Sequence, residues 1–183
     1  MCDRGRSGIE MRIKTHCHYC GNRLTHKTWE GRQRLFCASC DLPLYENPIP
    51  ATCLVTIDAR ERVLLVKRSV DPKKGFWCLP GGFMELDETP EGAGLRELRE
   101  ETGLTGQIDM LLGVLTHPSQ NYHTILMTGF LVRSFTGDLV AGDDADEAKW
   151  FALDRLPEIA FTSHKQFIKS YVVAYAHTDA SGS

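Results

Sequence analysis

The segment from Gly82 to Leu104 constrains this chain more than any other. It demands a tight turn, one short capped helix and a second turn. It reads G-F-M-E-L-D-E-T-P-E-G-A-G-L-R-E-L-R-E-E-T-G-L. Leu79-Pro80-Gly81-Gly82 closes an extended run and turns tightly, because glycine accepts positive φ. Thr89 stands as N-cap, with Pro90 at the first helical position and Glu91 beside the positive end of the helix dipole. Gly103 supplies a left-handed C-cap. Gly92 and Gly94 each cost the helix about 1 kcal/mol relative to alanine, which predicts close packing at those positions.

Glu97, Glu100 and Glu101 occupy relative positions 0, 3 and 4. On a helix they share one face, a turn apart. Three carboxylates so close repel one another unless something positive sits among them. The natural occupant is a hard divalent cation with oxygen ligands, Mg²⁺ or Mn²⁺. Such an ion, completed by substrate phosphate oxygens, is the usual equipment for attacking a diphosphate. An isolated E-x-x-E-E cluster is more often a plain solvated face. Here Gly82, Glu88, Arg96 and Gly103 all stand in register with it.

That skeleton resembles the Nudix box, the signature of the Nudix hydrolases, at every defined position. The resemblance implies roles for Arg96, Glu97, Glu100 and Glu101 in catalysis. By that resemblance Glu97, Glu100 and Glu101 are expected to bind magnesium, and Glu97 also to activate or orient the attacking water. Arg96 holds the carboxylates in place and ionised. The Gly82 carbonyl adds a metal ligand, and Glu88 braces the loop. The implied reaction is attack of water on one phosphorus of a diphosphate, with metal ions stabilising the attacking and leaving oxygens.

Upstream, Cys17-x-x-Cys20 and Cys37-x-x-Cys40 stand sixteen residues apart. Two C-x-x-C knuckles at this separation match a Cys₄ zinc ribbon, in which Zn²⁺ replaces a hydrophobic core. Two disulfides are the rival reading. The first fifteen residues are basic and polar and include no apolar signal segment, so a cytoplasmic chain with reduced thiols is expected. With four protein ligands the zinc is structural. His16 and His18 flank Cys17 and read as surface residues. Leu24–Trp29 and Gln33–Phe36 read as a hairpin about Glu30-Gly31. Cys53 and Cys78 lie in apolar runs and read as small core residues.

The chain has 183 residues, 42% of them hydrophobic and 25% charged. That suits one ordinary soluble domain plus a small module. No run approaches the roughly 20 apolar residues that span a membrane. The net charge of −3 excludes an overall nucleic-acid footprint. Residues 1–40 nevertheless hold eight lysines and arginines against three acids. This basic excess suits contact with nucleic acid, attraction of anionic nucleotides, or simply an exposed polar hairpin.

The expected organisation is a flexible arm (1–14), a zinc ribbon (15–45), a catalytic domain (46–178) and a disordered tail (179–183). Asp41–Pro50, with three prolines, reads as a stiff linker. Strands are expected at Ala51–Asp58, Val63–Arg68, Ile108–Leu115, Thr124–Phe135 and Glu147–Phe151. Ser163 is expected to cap a closing helix with Phe167, Ile168, Tyr171, Val172 and Tyr175 on its apolar stripe.

Leu64–Arg68, Gly75–Gly82 and Glu147–Phe151 followed by Leu156-Pro157 extend the Nudix resemblance over residues 46–165. It implies an α/β fold, the Nudix α/β/α sandwich around a mixed sheet. Glu147 is either a further ligand or base, or plain surface. A ribbon ahead of such a domain resembles the NADH pyrophosphatase branch and its ADP-ribose and FAD relatives. The NADH pyrophosphatases carry S-Q-P-W-P-F-P, whereas His117–His123 here keeps only Ser119-Gln120. The implied function is Mg²⁺-dependent hydrolysis of ADP-ribose, NADH or FAD with release of AMP. The alternatives are removal of a nucleotide cap from RNA, with the basic ribbon as grip, and a non-catalytic nucleotide-sensing regulator. Dimers are frequent in the family, so a homodimer is a further expectation.

Overall fold

The computed structural model describes residues 13–119, 121–142 and 144–176. The expected tail and all but residues 13 and 14 of the expected arm lie outside these. The chain divides into two compact units. One comprises Met1–Pro48 with Pro118–Thr124, the other Ile49–His117 with Ile125–Ser183.

In the first unit, β1 (Thr25–Trp29), β2 (Arg32–Cys37) and β3 (Leu42–Leu44) form an antiparallel sheet in that order. Glu30 and Gly31 both take positive φ, as a two-residue hairpin turn requires. The linker reading of Asp41–Pro50 needs correction. Leu42–Leu44 pairs with β2, and Pro43 is tolerated because β3 is an edge strand. Leu24, Leu35 and Leu44 pack with Cys17, Cys37 and Cys40 into a core too small to stand on apolar burial alone.

The second unit contains β4 (Ile49–Thr56), β5 (Arg62–Arg68), β6 (Trp77–Cys78), α1 (Pro90–Thr102), β7 (Thr105–Ser119), β8 (His123–Thr136), β9 (Ala145–Ala152) and α2 (Thr162–Ala176). One sheet runs β4-β8-β7, with β4 parallel to β8. The other runs β6-β5-β9, and both its ladders are antiparallel. An Ile57–Val63 bridge links β4 to β5 across the turn at Ala59–Glu61.

Strand alternation places the helices on opposite sides. Leu54, Leu64, Phe130 and Val132 pack with Leu98 and Leu104 of α1 and its C-terminal turn. Their neighbours Cys53, Val55, Val63, Leu65 and Leu131 pack with Phe167, Ile168 and Tyr171 of α2. Successive strand residues point to opposite faces, so this two-way sorting defines the α/β/α layering. Each fully buried large apolar side chain contributes about 1.5–3 kcal/mol. Cys53 and Cys78 are core residues.

Two expectations about the helices are corrected. α2 begins at Thr162, so Ser163 lies buried within the first turn instead of capping it. Val172, placed on the apolar stripe, is exposed. Of the two helical glycines, Gly94 is closely packed: a Cβ there would lie 3.0 Å from Leu54 Cδ2. Gly92 is exposed and meets only the Thr89 hydroxyl.

Candidate active site

The turn ahead of α1 is pinned along β4. Thr52 N donates to Gly82 O and Leu54 N to Pro80 O, each at 2.9 Å. Gly81 lies so close that a Cβ would fall 2.2 Å from the Thr52 carbonyl oxygen. From the other side, Leu79 N donates to Nδ1 of His164 in α2, at 3.0 Å. Burial holds that imidazole neutral and pushes it down to about 3. The loop is thereby fixed from β4 and from α2.

The helix that follows is built as its sequence reads. The Thr89 side chain accepts from Gly92 N, Pro90 opens the helix and Gly103 closes it at φ 73°. Arg96 is the hub of the carboxylates on its face. Its Nε donates to Glu88 at 2.7 Å, while Nη1 donates to Glu97 at 2.8 Å and Glu100 at 2.9 Å. Nη2 reaches the Phe83 carbonyl and Glu88. Glu88 also accepts from Glu85 N, so it ties the loop to the helix. The Arg96 bonds hold Glu88 down at about 2, and Glu88 in return raises Arg96.

Glu101 escapes this clamp. It is 8% exposed and accepts from Gly81 N at 3.0 Å. Burial raises it to about 8, the Glu97 charge adds to the rise, and the Arg68 charge opposes it. Burial also raises Glu97. Gly82 is packed directly against Glu97, whose Oε1 would lie 2.5 Å from any Cβ at that position.

Glu97, Glu100, Glu101 and Asp144 together line a cavity of about 460 Å³. All-oxygen donors lining one space, two of them raised by burial, suit a hard divalent cation. The Gly82 carbonyl, whose first lone pair serves Thr52, retains a second.

Asp144 was missed from the sequence, although it stands in the acidic run Asp143–Glu147. Its backbone carbonyl accepts Ser69 N at the end of β5, a long-range pairing without local signature. Glu147 is not among the residues that line this cavity: it pairs with Lys149 and, at 2.8 Å, with Lys67, which hold it down at about 2. Arg68 stacks over Phe161 at 5.2 Å and donates to the Pro72 carbonyl.

In the first unit the four cysteine sulfurs all lie within 4.8 Å of one another. None of the four is in a disulfide. Backbone bonds at Cys20 and Tyr19 lower Cys17 to about 7, whereas contacts with Cys20 and Cys37 push Cys40 up to about 12. Four sulfurs so close cannot all ionise without a cation, and the set suits tetrahedral Zn²⁺. His16 and His18 are exposed and outside the cluster.

The chain matches the NUDIX domain family over residues 47–171. It belongs to the Nudix hydrolase family. Across 131 residues the chain is 43% identical to an ADP-ribose pyrophosphatase of Methanocaldococcus jannaschii, covering 70% of this chain and 76% of that protein. It is 32% identical over 151 residues to the NAD-capped RNA hydrolase NudC of Edwardsiella ictaluri, covering 78% of this chain but only 53% of NudC. A crystal structure of a Nudix hydrolase from Nitrosomonas europaea superposes with a TM-score of 0.79 at 28% identity, covering 90% of this chain and 93% of that one. Among the described residues no helix is long and apolar enough to cross a membrane.

Proposed function

We propose that this Nudix hydrolase cleaves the pyrophosphate bond of a nucleoside diphosphate linked to a second moiety, ADP-ribose foremost, and releases AMP. The observation that carries the reading is the acid-walled cavity beside the Arg96 clamp. The ADP-ribose pyrophosphatase relative supports the choice of substrate. Glu97, Glu100, Glu101 and Asp144 would hold magnesium there. A bound Mg²⁺ supplies positive charge to the phosphate oxygens and to the attacking and leaving groups.

The chain's own residues do the rest. Arg96 fixes Glu97 and Glu100 through charge-assisted hydrogen bonds. The Gly81 amide fixes Glu101. Glu97, raised by burial, would take the proton of the attacking water. Water oxygen bonds to one phosphorus as the bridging P–O bond breaks, and the two phosphates leave as AMP and ribose 5-phosphate. With magnesium and ADP-ribose, the protein should form these products in equal amounts. Absence of AMP contradicts the reading.

A second reading, removal of an NAD cap from RNA, draws on the NudC relatives. The chain spans about half of their length, and His117–His123 lacks the proline- and tryptophan-rich run of the NADH branch. The cysteine cluster would hold a structural zinc. The six described cysteines, none in a disulfide, accord with a cytoplasmic setting.

A further inference from the structure

The face of β1 and β2 turned away from the cysteine core carries cations with no acids to meet them. Leu35 and Leu44 are opposite one another and pack into that core. Alternation therefore sends Lys27, Trp29, Arg32 and Arg34 to the other face. There Lys27 lies directly opposite Arg34, and Trp29 opposite Arg32. Like charges directly opposite destabilise a ladder. Among the described residues none of the three cations is in an ion pair: Glu46 meets Lys14, and Glu30 meets the Tyr45 hydroxyl. Arg34 Nε is buried without a hydrogen-bond partner.

Aromatic rings are interleaved with these charges. Lys27 Nζ lies 5.3 Å from the Trp29 ring and 4.0 Å from the Phe36 ring, and the Arg34 guanidinium lies 4.7 Å from that of Tyr45. Lys27 and Arg32 are exposed, and Trp29 is half-buried.

We propose that this face binds a single-stranded nucleic acid, with phosphates against Lys27, Arg32 and Arg34 and a base against Trp29. A line of cations with a ring among them is the arrangement that tracks a backbone and stacks its bases. An acidic peptide would answer the charges and leave Trp29 without a partner. A free phosphate would likewise answer the charges and offer no base to stack on Trp29.

The inference is independent of the hydrolysis reading, because binding is measured without turnover. Full-length protein is titrated into a fluorescein-labelled unstructured RNA of about 12 nucleotides, and anisotropy is followed from about 50 to 200 mM salt without magnesium. Three phosphate contacts at about 0.7 each give a log–log salt slope near −2, falling to about −0.7 in Lys27→Gln/Arg34→Gln. Trp29→Leu weakens binding about tenfold and leaves the slope unchanged, since stacking releases no counterions. ADP-ribose turnover is unchanged in both variants. Three outcomes overturn the proposal: no salt-dependent binding by the wild-type chain, wild-type binding by the double variant, or competition by a poly-glutamate peptide as strong as that by unlabelled RNA.

Discussion

Position 82 and the Glu97 carboxylate share one space. A Cβ there would meet Glu97 Oε1 at 2.5 Å and Cδ at 2.6 Å, so any side chain displaces the carboxylate. Misplacing a reacting group by about 1 Å costs on the order of 10²-fold. Gly82→Ala should therefore lower kcat about a hundredfold while the melting temperature changes little, and a wild-type kcat would refute this. Glu101 makes a different prediction. In the metal-free chain burial raises it to about 8, so below that pH it must lose a proton when a cation binds. Magnesium affinity should rise with pH up to about 8. Calorimetry in buffers of unlike ionisation heat should count close to one proton released at about pH 7 and close to none at about pH 9. Equal proton release at both pH values would show the burial argument to be wrong. His164 has the opposite sense. Its folded value lies near 3, below the ordinary 6.5, so the unfolded chain takes up a proton that the folded chain refuses. The stability that neutral His164 contributes is fully present above about pH 6.5 and is lost as pH drops toward 3, by at most about 1.4 kcal/mol per pH unit. His164→Gln, whose amide oxygen can accept from Leu79 N, should remove this contribution, so that the urea midpoint of the variant falls less than that of the wild type between pH 6.5 and 5. An unchanged slope would place the acid sensitivity elsewhere.

At the level of elements, what could be read in advance depended on how local its cause was. α1 was legible to the residue because Thr89, Pro90 and Gly103 are caps that act within a turn. The carboxylates were legible because a helix sets their spacing, and the structure brings Glu97, Glu100 and Glu101 to one cavity. β3 and β6 were not. Each is two or three residues long, and each exists only through pairing, with β2 and β5 respectively. Asp144 was missed for the same reason, since the end of β5 brings it to the cavity from a distance in sequence. Close approach of a helix to a strand is also invisible beforehand. At Gly129 in β8, a Cβ would lie 2.3 Å from Cδ1 of Phe167 in α2. Gly129→Ala forces that buried ring off its site and should destabilise by about 1–3 kcal/mol in denaturant melts, the usual cost of overpacking. A change below about 0.5 kcal/mol would mean that α2 yields freely.

At the scale of the whole molecule, two units hold themselves together by different means. The second has two apolar layers, one under each helix. The first has Leu24, Leu35 and Leu44 about four thiols, so its strands should depend on a bound metal. A strong zinc chelator should therefore erase the dispersed amide signals of β1–β3 and leave those of β4–β9. Persistence of the first set without metal would contradict a structural zinc. The proposed function makes the acid-walled cavity the place where a diphosphate-linked nucleotide is hydrolysed. It is tested most directly by magnesium-dependent AMP release from ADP-ribose, NADH, FAD and NAD-capped RNA, run beside Glu101→Gln. The highest kcat/KM is expected for ADP-ribose, with a fall of at least about 10²-fold in the variant, the scale of a lost electrostatic group in an active site. Turnover that survives Glu101→Gln, or no AMP from any of the four, would contradict it.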